Sequence, residues 1–356
     1  MPAATIHQFV PMLHRGDAVG RHCLELQRLL RAGGVRSEIY VELDDRDTVA
    51  LTRPATAYPH EAAPQDVLVY QFATASDLAP WLAARSERLV VNYHNVTPPE
   101  LFAPWDNGLA RHQVRARREL ALLASRADTG VGVSEVNRAD LLAAGYRETA
   151  VIPPIVDLRP PSERVEAPGA GGASKWLAVG RLAPNKAFED TLVALLAYRF
   201  RHDPGATLTV VGRPALPVYA AAVRGYGADL GLADAVTFTG PVSDEGLRRA
   251  YAEADVLVVT SEHEGYCLPV VEAMLAGVPV VAFREGAVPE VLGDAGTLLE
   301  DKDPVRLADA VARLADPGYR RAQVAQGRAR VESLHLELAG PKLVELLLDV
   351  ARRPAV

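Results

Sequence analysis

The sequence predicts an α/β protein made of two doubly wound, Rossmann-like domains, and three observations carry that expectation. Short apolar runs rich in β-branched residues and without polar alternation recur along the chain, as in residues 66–72 (DVLVYQF), 88–95 (RLVVNYHN) and 255–260 (DVLVVT); such runs suit strands buried on both faces. Helical stretches alternate with them, the pattern of βαβ units and parallel sheets. Between the halves lies a segment poor in core formers, RPPSERVEAPGAGGAS at 159–174, which reads as a linker. The expected division is an N-terminal domain at 1–158, the linker at 159–174, a second domain at 175–335, and a C-terminal helix within 336–356.

In the first half, residues 5–10 read as a strand and 18–32 as a helix, with Asp17 as its N-cap and Gly33-Gly34 as its stop. Gly16 and Gly20 lie in the strand-to-helix turn, where glycine permits close backbone approach. Strands follow at 35–41, 66–72 and 88–95, with a helix at 77–84. Val96-Thr-Pro-Pro99 is expected to keep the next segment extended. A helix at 108–125 carries Arg111, Arg115 and Arg118 on one face, read as a solvated face in preference to an anionic-membrane contact. A strand at 128–134, a helix at 135–144 and a strand at 149–152 close this half. In the second half, strands are expected at 175–179, 207–211, 236–239, 255–260 and 278–283. Helices are expected at 219–230, 245–253, from Leu268, and at 303–315, 319–334 and 340–351.

At 356 residues the chain has room for about two cores. A net charge of −7 argues against a nucleic-acid binder. The first residues, MPAATIHQFV, lack the basic start and long apolar run of a secretory signal. The longest apolar segment, 268–283, contains Glu272, Gly277 and Pro279 and cannot span a bilayer. Cys23 and Cys267 make no disulfide framework, and His and Cys show no metal-ligand spacing, so no metal is expected. A cytoplasmic location is the expectation.

The most informative stretch is SEHEGYCLPVVEAMLAGVPVV, residues 261–281. A buried strand runs into a polar loop and then a helix opening at Leu268-Pro269, the arrangement that binds ligands outside the carboxyl ends of parallel strands. Free amides near the helix start favour an anion. Glu264 in the loop and Glu272, expected in the first turn, are acceptors suited to sugar hydroxyls. A phosphate flanked by two hydroxylated rings is a nucleotide sugar. Taken singly, Glu272 also fits a helix-dipole partner and Glu264 an exposed loop acid. Upstream, Gly180-Arg181-Leu-Ala-Pro-Asn-Lys186 places two cations five residues apart past a strand end, suited to a diphosphate. Lys186 runs against the composition, since Lys175, Lys186, Lys302 and Lys342 stand against 34 arginines. The GAGG run at 169–172 precedes a strand instead of following one, so it fails the context test for a dinucleotide fingerprint.

The 264–281 stretch resembles the Glu-x7-Glu motif of the retaining glycosyltransferases of family 4, usually EGFGLPxxEAxAxGxPV. Tyr266 stands for Phe and Cys267 for Gly. Residues 180–187 resemble the family's Gly-Arg-Leu-x-x-x-Lys-Gly element, with Ala187 for Gly, and residues 284–290 its Gly-Gly-x-Pro-Glu element, with Ala287 for Gly. The likeness covers nearly all of the second half and the first half in outline. It implies the GT-B fold, two Rossmann-like domains facing across a cleft, with the acceptor on the first, the donor on the second, and the C-terminal helix crossing back to the first. It implies transfer of a sugar from a nucleoside diphosphate sugar to an acceptor hydroxyl with retention, without a metal or a further cofactor. Arg181, Lys186 and the helix start at Leu268 would stabilise the leaving diphosphate, Glu264 would hold the donor sugar and Glu272 the ribose. His94 would sit near the transferred sugar, and Gly16, Val242, Gly265, Tyr266, Cys267 and Leu268 would line the donor. The departing phosphate oxygen would take the acceptor's proton. The acceptor itself, a sugar, a lipid-linked or a small-molecule hydroxyl, stays open. Three rivals stand beside this reading: a GT-B epimerase or phosphorylase, a non-catalytic partner subunit, and a nicotinamide dehydrogenase.

Overall fold

The computed structural model describes residues 5–155 and 173–353, and these divide into two compact units, 5–155 with 335–353, and 173–334. The expected linker at 159–174, except its last two residues, and the GAGG run lie outside the described residues.

The first unit is wound on a seven-stranded parallel sheet: β1 (Ile6–Val10), β2 (Ile39–Val41), β3 (Arg53–Pro54), β4 (Val67–Phe72), β5 (Arg88–Tyr93), β6 (Thr129–Gly132) and β7 (Thr149–Val151). Their spatial order is β3-β2-β1-β4-β5-β6-β7, so the winding direction reverses between β1 and β4, the crevice where doubly wound sheets take ligands. All six residues of β4 are buried, as expected for a strand covered on both faces. Helix α1 (Ala18–Ala32) starts where Asp17 accepts the Gly20 amide at 2.7 Å, and ends at Gly33, with Gly34 at φ 77°. The expected strand at 35–41 is shorter, because its first residues meet the sheet only through one bridge, Thr5 to Arg36. Helix α2 (Leu78–Ala83) precedes β5. The extension expected after Val96-Thr-Pro-Pro stops one proline early. Pro98 is extended, but Pro99 opens the one-turn helix α3 (Pro99–Phe102), where its missing amide is not needed. Helices α4 (Asn107–Ala124) and α5 (Glu135–Ala143) are capped by the side chains of Asp106 and Ser134.

The second unit repeats the plan with six parallel strands: β8 (Lys175–Val179), β9 (Thr207–Val211), β10 (Val236–Gly240), β11 (Val256–Val259), β12 (Val280–Phe283) and β13 (Thr297–Leu299), in the order β10-β9-β8-β11-β12-β13. Its reversal lies between β8 and β11. The helices are α6 (Phe188–Arg201), α7 (Pro217–Asp229), α8 (Asp244–Glu253), α9 (Leu268–Leu275), α10 (Val288–Leu292), α11 (Pro304–Ala312) and α12 (Pro317–Leu334). Of these, α6, α10 and β13 were not anticipated from the sequence.

The last helix, α13 (Ala339–Arg352), belongs to the first unit. Its Leu343, Leu347 and Val350 share a core with Leu26 and Leu30 of α1, each such side chain contributing about 1.5–3 kcal/mol by burial. Gly340 permits the close approach, since a Cβ there would lie 2.4 Å from Leu29 Cδ1. Among the described residues, no helix is long and apolar enough to cross a membrane.

Candidate active site

In the second unit the loops after β8 and β11 flank the sheet's reversal point, and they carry Arg181, Lys186 and Glu264. The loops after β8 and β9 touch closely: a Cβ on Gly212 would lie 1.9 Å from Gly180 O. Arg181 is exposed. The chain then makes a short 3-10 turn, Pro184–Lys186. Lys186 Nζ lies 2.5 Å from Glu264 Oε1, with only 15% and 8% of the two side chains exposed. The loops are also joined directly. Glu262 donates its amide to Asn185 O at 2.8 Å, Asn185 Nδ2 donates to His263 O at 3.2 Å, and Thr260 Oγ1 donates to Ala187 O at 2.8 Å. Glu264 is therefore buried and paired, not an exposed loop acid.

The 284–290 loop grips Glu264 from the other side. Ala287 donates its amide to Glu264 O at 3.0 Å. Gly286, at φ 55°, approaches so closely that a Cβ there would lie 2.5 Å from the same oxygen. A side chain at 286 would thus displace the carboxylate's own backbone.

Two of the three substituted family glycines fall on left-handed backbone. Ala187 (φ 47°, ψ 50°) caps α6, and Cys267 (φ 68°, ψ 62°) caps α9. Each non-glycine residue held there costs about 1–2 kcal/mol. Ala287, at φ −83°, carries no such strain. Burial, reinforced by the neighbouring Glu264 carboxylate, pushes the Cys267 thiol well above its ordinary value, so it is a neutral, buried cap.

Because Cys267 takes the left-handed turn, α9 begins at Leu268 and Pro269 is its second residue. Glu272, the fifth residue of this helix, lies in the second turn and not, as expected, in the first. The dipole's influence falls off within the first turn, so its pairing with the helix start is weak. Its carboxylate instead accepts a hydrogen bond from Tyr251 Oη of α8, at 2.8 Å. Sequence reasoning missed Tyr251, whose only signal was membership of an amphipathic helix. Gly265 is half-buried, while Tyr266 and Leu268 are buried. Tyr266 Oη, absent from the family's usual Phe, is buried without a hydrogen-bond partner. Val242 is exposed in the loop after β10, just before Ser243, whose Oγ caps α8 by accepting the Gly246 amide at 3.1 Å.

The remaining candidates belong to the first unit. Gly16 is exposed with open space around it, whereas a Cβ on Gly20 would lie 1.7 Å from His14 O. The need for glycine in this turn therefore rests on Gly20. His94, half-buried just past β5, places Nε2 2.7 Å from Gln71 Oε1 and donates its amide to Phe72 O. Burial lowers its imidazole to about 4, so it is neutral at pH 7. On α4, Arg115 is engaged by Asp77 and Glu119, each at 2.5 Å. Among the described residues no group of three or more His, Cys, Asp or Glu is arranged to hold a metal.

The family model described as "Glycosyl transferases group 1" matches residues 173–316, which contain the paired loops. A D-inositol 3-phosphate glycosyltransferase of Actinosynnema mirum is 31% identical over 296 residues, covering 76% of this chain and 70% of that protein. The chain spans 40% to 70% of the length of the first curated relatives it matches. Among solved structures, sucrose-phosphate synthase from Thermosynechococcus elongatus superposes with a TM-score of 0.76 at 21% identity, covering 98% of this chain and 99% of that one. HepE of Anabaena, crystallised with UDP and glucose, superposes with a TM-score of 0.77 at 19% identity, covering 97% and 99%. With two parallel-sheet Rossmann-like units and these relatives, the chain belongs to the group 1 glycosyltransferases, family 4, and has the GT-B fold.

Proposed function

We propose that the protein transfers a sugar from a nucleoside diphosphate sugar to an acceptor hydroxyl and retains the anomeric configuration. The observation that carries this reading is the Lys186–Glu264 pair, set at the reversal point of the second sheet beside the start of α9. An ammonium suited to a diphosphate and a carboxylate suited to sugar hydroxyls thus sit side by side, where a phosphate-linked sugar needs both. In the reaction the bond from the anomeric carbon to the diphosphate oxygen breaks and the acceptor oxygen bonds to the same face. The acceptor's proton passes to the departing phosphate oxygen. Lys186, Arg181 and the amides at the head of α9 oppose charge that grows on the diphosphate in the transition state, and so lower the barrier instead of only binding substrate. No metal or further cofactor is required for this division of labour. Glu264 holds the donor sugar, Glu272 the ribose, and His94 the reacting end of the sugar. Gly16, Val242, Gly265, Tyr266, Cys267 and Leu268 line the donor.

The test is calorimetric titration with UDP, GDP, ADP and their glucose, mannose and N-acetylglucosamine conjugates, on wild type and Glu272→Ala. The expected result is micromolar binding of one nucleotide class, weakened about tenfold or more by loss of a charged hydrogen-bond acceptor. Absence of binding by every nucleotide, with the fold intact, overturns the reading in favour of a non-catalytic subunit.

A further inference from the structure

Outside the donor site, the first sheet buries a chain of amides and imidazoles at its own reversal point. Gln8 on β1, Gln71 on β4 and Asn92 on β5 are fully buried, and His22 of α1 nearly so. Three adjacent strands each direct a polar side chain into an apolar layer, so every hydrogen bond there matters.

The direction of the chain is set at one end by the backbone. Cys23 O can only accept, so it is the amide nitrogen of Gln8 that meets it, at 2.9 Å. Gln8 Oε1 then accepts from Gln71 Nε2 at 2.8 Å. This leaves Gln71 Oε1 as an acceptor, facing Asn92 Nδ2 at 2.9 Å and His94 Nε2 at 2.7 Å. An amide oxygen has no proton to give, so Nε2 of His94 must carry one. A neutral ring holding its proton on Nε2 keeps a lone pair on Nδ1.

We propose that Gln71 is a positioning residue which, through the relay from Cys23 and Gln8, holds His94 as the Nε2–H tautomer, so that its other ring nitrogen serves the reacting sugar as a hydrogen-bond acceptor for a hydroxyl. This deepens the transferase reading and rests on the role of His94 in it. An imidazole that presents a lone pair favours positive charge nearby and does not protonate the leaving group, which stays free to take the acceptor's proton. The backbone holds the ring in place as well. His94 N is bound to Phe72 O at 2.8 Å, and the next residue, Asn95, is fixed at φ 90°.

The far end of the network pulls the other way. Ile155 donates its amide to His22 Nδ1 at 3.1 Å, so a neutral His22 turns Nε2–H toward Asn92 Nδ2, 2.8 Å away, and Asn92 Oδ1 is buried without a partner. Flipping Asn92 would set its oxygen against Gln71 Oε1; flipping Gln71 as well would set its oxygen against Gln8 Oε1, and flipping Gln8 in turn would set an oxygen against Cys23 O. The mismatch is therefore confined to the Asn92–His22 link, and the Gln71–His94 link keeps its direction.

The experiment is long-range proton–nitrogen correlation on the full chain labelled with 15N histidine, with His94 assigned by its loss in His94→Gln. The expected spectrum has a protonated Nε2 and an unprotonated Nδ1; the reverse pattern overturns the proposal. This readout needs no substrate, so failure of the transferase reading would show separately in the nucleotide titration. With a donor identified, Gln71→Leu should lower kcat about tenfold, the worth of one hydrogen bond, at nearly constant donor KM, and its His94 should show both tautomers. Gln71→Glu keeps the acceptor, so it should restore the Nε2–H tautomer and move the acid limb of the pH profile upward. An unchanged tautomer in Gln71→Leu, or kcat and KM moving together with lost stability, would mean a merely structural role and overturn the assignment.

Discussion

Lys186 and Glu264, 78 residues apart in the chain, form an ion pair with Nζ 2.5 Å from Oε1. The pair joins the loop after β8 to the loop after β11 and leaves the site balanced in charge before any donor enters. On the proposed function, a diphosphate draws Lys186 toward itself while Glu264 turns to sugar hydroxyls, so the ammonium exchanges one anionic partner for another. Lys186→Ala should weaken nucleoside diphosphate binding by about 10- to 100-fold, the range for a charged hydrogen bond, and barely alter binding of the nucleoside. It should also lower stability, because Glu264 is left buried without its cation. Equal losses for nucleoside and diphosphate in titration would remove Lys186 from the phosphate site.

Tyr251 orients Glu272 from a different helix, its Oη 2.8 Å from Oε2. That hydroxyl helps set the direction of a carboxylate in the second turn of α9, away from the first-turn amides. Tyr251→Phe should leave the fold intact and weaken ribonucleotide binding by about five- to tenfold, one ordinary hydrogen bond. A 2′-deoxynucleotide should feel the change less than its ribose counterpart. Identical losses for both would show that Glu272 does not face the ribose.

The left-handed residues offer a test of strain against packing. Ala187→Gly removes one buried methyl group from a position at φ 47°, so relief of about 1–2 kcal/mol of strain should roughly offset the lost methyl group and the added freedom of the unfolded chain. Ala287→Gly, at φ −83°, should lower stability by about 1–2 kcal/mol, since glycine there loses a fully buried methyl group and adds freedom to the unfolded chain with no strain to relieve. The urea midpoint of Ala187→Gly should therefore stay near that of the wild type while that of Ala287→Gly falls. An equal fall in both would mean that backbone strain at 187 is absorbed elsewhere.

Much of the architecture is readable because the physics is local. The β4 and β5 runs are continuous and β-branched, and α1 is bounded on both sides by Asp17 and Gly33, so its ends fall where the residues place them. Helix α6 was missed because it opens from a left-handed alanine, where the usual glycine signal is absent. Strand β13 has only three residues, too few to show a period. The loops bearing Lys186 and Glu264 are legible as strand-end loops, but their adjacency depends on the strand order β8-β11, which no local pattern encodes. The same holds for Tyr251 beside Glu272 and for Gln71 beside His94, where cross-element contacts give otherwise ordinary residues their meaning. Glu272 is the fifth residue of a helix that opens, as the sequence indicates, at Leu268, so its place in the second turn was already fixed by the residue spacing.

Buried imidazoles should govern the protein's response to acid. Burial lowers His7 and His94 to about 4 and His22 well below its ordinary value, the last reinforced by His94. In the unfolded chain each titrates near 6.5. Between about 6.5 and 4 the unfolded chain therefore binds protons that the native one refuses, so stability rises with pH across that window and is lost as pH falls through it. Each histidine contributes at most about 1.4 kcal/mol per pH unit there, and none contributes a slope above pH 7. Urea midpoints should be level from about pH 8 to 7 and fall steeply toward about pH 5. His7→Gln should reduce that slope by about one proton per molecule: His7 accepts the Glu38 amide at 3.1 Å, a bond glutamine can replace without a titrating ring. A midpoint unchanged between pH 7 and 5 would mean that these rings stay hydrated enough to charge in place, and the neutral state assigned to His94 would fall with them.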